Sequence, residues 1–249
     1  MAGHSKWANI KYRKERQDAL KMKIFSKLSK EITLAAKAGG PDPQKNIALA
    51  NAIERAREAN VPKENIERAI KRATGELPGT QYEEVFYEGY GPFGVAVLVR
   101  VVTDNKNRAV SEIRHIFEEY GGNLGGSVAW LFERRGVITL DKAKITQDKD
   151  ELLMSIIDLG AEDIQERDGQ IEIYCEPSAL KAVREGLQKL GVPVERAEVS
   201  FIPKNTVHLE GRDAEKVLKF MEALDEQEDV QEAYANFDIP DAILESVSS

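Results

Sequence analysis

The sequence contains one cysteine, Cys175, so it has no internal disulfide and suits a reducing compartment. Within the alternation Ile171-Glu172-Ile173-Tyr174-Cys175 that thiol reads as a small core side chain. Long hydrophobic runs are missing as well. The longest, Gly94-Val95-Ala96-Val97-Leu98-Val99, stops at Arg100, far short of the ~18 residues of a membrane span. The N-terminal cations are followed by no apolar stretch of the secretory kind. The expectation is a cytoplasmic, soluble protein with no membrane partner.

Residues for chemistry are equally sparse. The three histidines, His4, His115 and His208, lie far apart, with no Cys or His at ligand spacing beside them. No metal is expected. No Gly-Lys-Ser/Thr phosphate loop occurs, and the one G-x-G-x-x-G stretch, Gly89-Tyr90-Gly91-Pro92-Phe93-Gly94, opens into a strand rather than a helix. It reads as a tight turn between strands, so no nucleotide cofactor is implied. Nothing marks a nucleophile with an adjacent base. The chain is expected to have no catalytic residues and not to be an enzyme.

What is present is a division of charge. Residues 1–75 hold 17 Lys+Arg against 8 Asp+Glu, whereas the other 174 hold 18 against 35. The overall −8 therefore hides a basic module joined to an acidic body. A segregated basic module attracts polyanions, and an acidic body orients the molecule by repelling them. Aromatics are scarce at 7%, yet Trp7 and Tyr12 fall among Lys6, Lys11, Arg13 and Lys14. Cations interleaved with aromatic rings suit a surface that meets phosphates and bases. Trp7 serves equally well as a core anchor.

Periodicity divides the chain further. Leu20, Ile24, Leu28 and Ile32 make one helical stripe, and Lys23, Lys27 and Lys30 form a separate lane turned away from it. Gly39-Gly40-Pro41 ends this helix. A second helix over 44–59 buries Ile47, Ala50 and Ile53, and a third after Pro62 buries Ile66, Ala69, Ile70 and Ala73. Gly75 stops it, and 76–80 is a linker. The body then changes period. Residues 134–203 read βαββαβ, the ferredoxin-like order. The flanking pieces, strand 95–103, helix 107–120 and strand 127–132 on one side, and strand 206–210, helix 213–225 and strand 230–236 on the other, would join into a second such unit. The fold class is therefore α+β, an all-helical N-terminal domain followed by two ferredoxin-like domains, one inserted into the other. The boundaries are 1–75, 81–133 with 204–240, and 134–203.

Lys6, Trp7, Lys11, Tyr12, Arg13, Lys14, Lys23, Lys27 and Lys30 are the candidate nucleic-acid-binding residues. Arg55, Arg57, Arg68, Lys71 and Arg72 are weaker, the first two having Glu54 and Glu58 beside them. With no recognisable reading helix, phosphate contact is expected over base readout.

The blocks AGHSKWANIKYRK (2–14), KIFSKLSKEI (23–32), AREANVPKENIERAIKRATG (56–75), YEGYGPFGVAVLVRVVT (87–103) and NKNRAVSEIRHIFEEYGGNLGGSVAW (105–130) resemble, in order, the YebC/PmpR family. That family includes the mitochondrial translational activator of cytochrome c oxidase. The resemblance implies three domains, one helical and two α/β, and no enzymatic activity. It also implies either a DNA-binding regulator of transcription or a ribosome-associated translation factor that contacts rRNA or tRNA and relieves stalling at proline runs. Two positions depart from the pattern. Tyr12 stands where the family usually has His, and Asn46–Ala50 replaces a stretch that usually contains Pro and Arg. A different class, an effector-binding or interaction protein working through the α/β domains, would leave the basic end incidental.

Overall fold

The computed structural model describes residues 21–167, 169–240 and 243. It is an α+β protein whose described residues fall into two compact units: Phe132–Lys204, and the sequence flanking it on both sides.

The flanking unit begins with three helices, α1 (Lys21–Gly39), α2 (Ile47–Glu58) and α3 (Lys63–Ala73). Leu28, Ile32 and Ala36 of α1 meet Leu49, Ala52, Ile53 and Ala56 of α2 and Ile66 and Ala69 of α3 in one small core. The α2 stripe therefore runs through Leu49 and Ala52 rather than the expected Ala50, which is only half-buried. An Ala-rich helix offers several faces of similar apolarity, and packing selects among them. Asn46 fixes where α2 starts. Its Oδ1 accepts from Leu49 N at 3.1 Å, while its Nδ2 donates to the carbonyls of Ala35 and Gly40, both at 2.8 Å. One side chain thus caps α2 and ties it to the end of α1.

The same unit continues as an α/β domain. Its sheet holds β1 (Glu83–Tyr90), β2 (Ala96–Thr103), the short β3 (Asn123–Leu124) and β9 (Val230–Ala235), in the order β3-β1-β2-β9, all antiparallel. Helices α4 (Lys106–Glu119) and α7 (Gly211–Glu226) pack on one face. Val97, Val99 and Val101 alternate toward them and meet Ile113, Phe117, Val217, Phe220, Met221 and Leu224. The Phe117 and Phe220 rings pack edge to face at 5.0 Å.

The second unit contains β4 (Phe132–Asp141), α5 (Lys149–Asp158), β5 (Asp163–Arg167), β6 (Gln170–Cys175), α6 (Leu180–Lys189) and β7 (Arg196–Pro203). Its sheet order, β5-β6-β4-β7, is the ferredoxin-like arrangement of a βαββαβ chain. Cys175 is buried in its core with Ile138, Ile173, Val183 and Leu187.

The larger α/β domain differs from expectation in two strands. The inner slot next to β2 is filled by β1, which precedes β2, rather than by the strand expected at 206–210. That segment is instead a short β8 (Val207–His208), paired in parallel with β10 (Phe237–Asp238) in a two-stranded sheet of its own. Nor do residues 127–132 form one strand. The backbone N–H groups of Val128 and Ala129 both donate to the Glu88 carboxylate, at 2.6 and 2.8 Å, and a 3₁₀ turn follows at Ala129–Leu131. Those donors, taken by a side chain, cannot extend a ladder.

Candidate nucleic-acid interface

Of the candidates, Lys6, Trp7, Lys11, Tyr12, Arg13 and Lys14 lie outside the described residues. Lys23, Lys27 and Lys30 stand on α1, and the structure separates them. Lys30 is not a surface cation. Its side chain is 6% exposed, and its ammonium lies 2.8 Å from Asp229 Oδ1 and 3.2 Å from the Glu228 carbonyl. Lys27 donates to the carbonyl of Asp225 at 2.6 Å. Lys23, one turn further toward the N-terminus, is exposed.

The expected lane is therefore mostly a joint, in which the basic helix docks on the segment linking α7 to β9. Asp229 is its centre. Besides Lys30, it accepts at Oδ2 from Arg108 Nη2 at 2.8 Å and from Thr103 Oγ1 at 3.0 Å. Gln227 Oε1 accepts the backbone N–H groups of Asp229 and Val230, and Gln227 Nε2 donates to Glu112 at 2.7 Å. Burial alone would raise the Asp229 pKa, but the hydrogen bonds from Arg108, Lys30 and Thr103 hold it below its usual value. The same contact with Asp229 raises the Arg108 guanidinium further above its normal range. A carboxylate with three donors, two of them cationic, is a rigid coupling between helical and α/β domains. A second ion pair adds to it, because Glu31 of α1 lies 3.7 Å from Arg100 of β2.

Arg55 is also engaged, 3.0 Å from Glu31 rather than with its sequence neighbours alone. Arg57, Arg68, Lys71 and Arg72 are exposed. Beside the joint, Lys23, Ser111, Glu112, His115, Ile116, Ala223, Glu226 and Gln227 line an open cleft of about 510 Å³. Lys23 thus stands at the edge of a groove between α1, α4 and α7.

Sequence reasoning missed one feature, on α7. Arg212, Lys216 and Lys219 recur at i, i+4 and i+7, all exposed and opposite the face that buries Ala214, Val217, Leu218 and Met221. Ala223, the next position of that lane, lines the cleft that holds Lys23. The spacing was visible, but the acidic balance of the body and the adjacent Glu215 and Glu222 masked it.

The comparisons with known proteins agree over the whole architecture. Residues 5–76 match the model of the TACO1/YebC protein N-terminal domain, and residues 82–237 match that of the TACO1/YebC second and third domain. The chain belongs to the TACO1/YebC family. A probable transcriptional regulatory protein of Dictyoglomus turgidum is 57% identical over 250 residues, covering 100% of both chains. One from Thermotoga maritima is 55% identical, covering 100% of this chain and 98% of that protein. The solved structure of a conserved hypothetical protein from Aquifex aeolicus matches with a TM-score of 0.81 at 50% identity, covering 90% of this chain and 93% of that one. The family's names are thus those of regulators, which gives this TACO1/YebC member a regulatory role. Among its described residues, no helix is long and apolar enough to cross a membrane.

Proposed function

We propose that this TACO1/YebC protein is a non-enzymatic regulator of transcription that binds DNA through its basic helical domain. The observation that carries the reading is the confinement of net positive charge to residues 1–75, against a body of 18 Lys+Arg and 35 Asp+Glu. The names of its relatives support the regulatory half. The joint at Asp229 supports the mechanical half, since it holds α1 in one pose on the α/β domain while Lys23 faces outward. In this reading Lys6, Lys11, Arg13, Lys14 and Lys23 contact phosphate, with Trp7 and Tyr12 stacking or packing nearby. Lys27 contributes mainly to the joint, and Lys30 is withdrawn from the contact set.

Competition binding of duplex DNA, structured RNA and intact ribosomes across a salt series tests this. Phosphate contact predicts that log affinity falls linearly with log salt, by about 0.9 per neutralised phosphate on duplex DNA. Reversing Lys11, Arg13 and Lys14 to Glu should abolish binding. If duplex DNA competes no better than a random polyanion while ribosomes compete strongly, the transcriptional reading falls and the polyanion is ribosomal. If the charge reversal leaves cellular activity intact, neither the DNA nor the ribosomal reading of the basic module survives.

A further inference from the structure

We propose that the tip of the β1–β2 hairpin, together with the outer face of α7, is a second nucleic-acid contact that holds a single strand through its unpaired bases. The inference rests on the nucleic-acid reading above and adds both a site and a substrate class to it.

The tip presents aromatic rings where a folded domain would ordinarily hide them. Phe93 is 46% exposed and sits at φ 59°, ψ 21°, a left-handed conformation that bulky residues rarely adopt. Tyr90, at the end of the preceding strand, is 38% exposed. The neighbouring glycine loop makes this arrangement possible. A methyl group at Gly122 would lie 2.5 Å from the Tyr90 carbonyl oxygen, so only glycine lets the two loops close. One at Gly126 would sit 3.3 Å from the Tyr90 ring, so the glycine backbone lies close beside that ring edge.

Cations stand beside the rings. The Lys216 ammonium lies 5.8 Å from the centre of the Phe93 ring. Arg212 and Lys219 share its lane, and Ala223 carries the lane to the cleft where Lys23 stands. From Arg212 to Ala223 the helix runs about 16 Å, a track for a few phosphates leading from the ring platform toward the basic module. Exposed rings beside a short cationic track suit single strands, because a ring stacks on a base face only when that base is unpaired. Glu215 and Glu222 flank the lane, and α7 as a whole holds three Lys+Arg against five Asp+Glu, so stacking supplies much of the grip.

The test uses the full chain, with fluorescence anisotropy on dT12, U12 and a 12-base-pair duplex. Phe93→Asn removes the ring while tolerating the left-handed backbone. It should weaken dT12 or U12 binding roughly 5- to 150-fold, the value of one stacked base, and leave duplex binding unchanged. Phe93→Trp should retain single-strand affinity. The joint replacement of Arg212, Lys216 and Lys219 by Gln should flatten the single-strand salt dependence by about 2 in the log–log slope. Comparison of dT12 with U12 shows whether the strand is DNA or RNA. Single-strand binding unaffected by Phe93→Asn, or equal loss on strand and duplex with an unchanged thermal transition, overturns the proposal. Charge reversal at Lys11, Arg13 and Lys14 separates the two sites. If it removes duplex binding while Phe93→Asn does nothing, the tip fails alone. If it changes nothing while Phe93→Asn removes single-strand binding, the tip stands and the basic-module reading fails.

Discussion

The two α/β domains have the same four-stranded antiparallel sheet with two helices on one face, and they obtain it differently. The domain at 132–204 uses one continuous stretch of chain, each strand in its βαββαβ place. The larger domain is built from both sides of that insertion and takes β1, from ahead of β2, into the inner slot. A hairpin such as β1–β2 closes at small entropic cost, whereas a strand returning roughly 100 residues after β2 must close a long loop first. The larger domain is also the one loaded with charged side chains that tie it to a helical neighbour. The continuous domain relies on apolar layers, and the discontinuous one adds a buried polar joint at Asp229.

That contrast can be broken most directly at Asp229. Asp229→Ala leaves Lys30 buried without its counter-ion, and removal of one partner from a buried pair costs about 3–5 kcal/mol. Calorimetry should show the larger unit's transition falling sharply while that of 132–204 stays in place. The pH dependence follows the same side chain. Because the folded Asp229 pKa is lowered, its contribution is present above the unfolded value near 4 and is lost as pH falls through the folded value. Acid titration of the larger unit's stability should therefore be flatter below pH 4 in Asp229→Asn than in the parent.

A pair of glycines sharpens the comparison at a smaller scale. A methyl at Gly122 meets backbone at 2.5 Å, whereas one at Gly186 in α6 meets the Leu159 side chain. Backbone cannot yield as a leucine methyl can. Gly122→Ala should cost about 1–3 kcal/mol. Gly186→Ala should cost less, because the helix-propensity gain of about 1 kcal/mol offsets the repacking of Leu159. Urea denaturation of the two variants decides the order.

The smallest effect is expected at His208, whose ring lies between Glu210 and Asp238, each at 3.1 Å. Hydrogen bonds to Glu210 and then Asp238 raise its pKa. A raised folded pKa stabilises below the unfolded value near 6.5, and this stabilisation fades as pH rises through the folded value. NMR titration should place the ring above 6.5, and His208→Gln should abolish a slight loss of stability between neutral and mildly alkaline pH.

Much of this was legible in the chain. The i, i+3, i+4 stripe at Ile66, Ala69 and Ile70 and the alternation at Ile171–Cys175 carry their own period, so α3 and β6 could be placed from sequence. Asn105 and Asp148 mark the starts of α4 and α5 because each accepts a backbone N–H of the first turn. The use of Lys30 could not be read in this way. A lysine on a polar lane looks solvent-facing until Asp229, 199 residues away, is brought beside it. The Phe93 platform was hidden for a related reason, since the turn at 89–94 was visible but Lys216 at its ring was not.

The sequence by itself determined the charge division at residue 75 and the helical and α/β periods, which depend on composition and near-neighbour spacing, and its ordered blocks carried the resemblance to the TACO1/YebC family. Tertiary structure alone decided which strand fills the inner slot of the larger sheet, which cation of α1 is buried, and where rings and cations meet at the hairpin tip. Those outcomes depend on contacts between segments far apart in the chain, where the cost of loop closure and the need to neutralise a buried charge, rather than local propensity, select the partner.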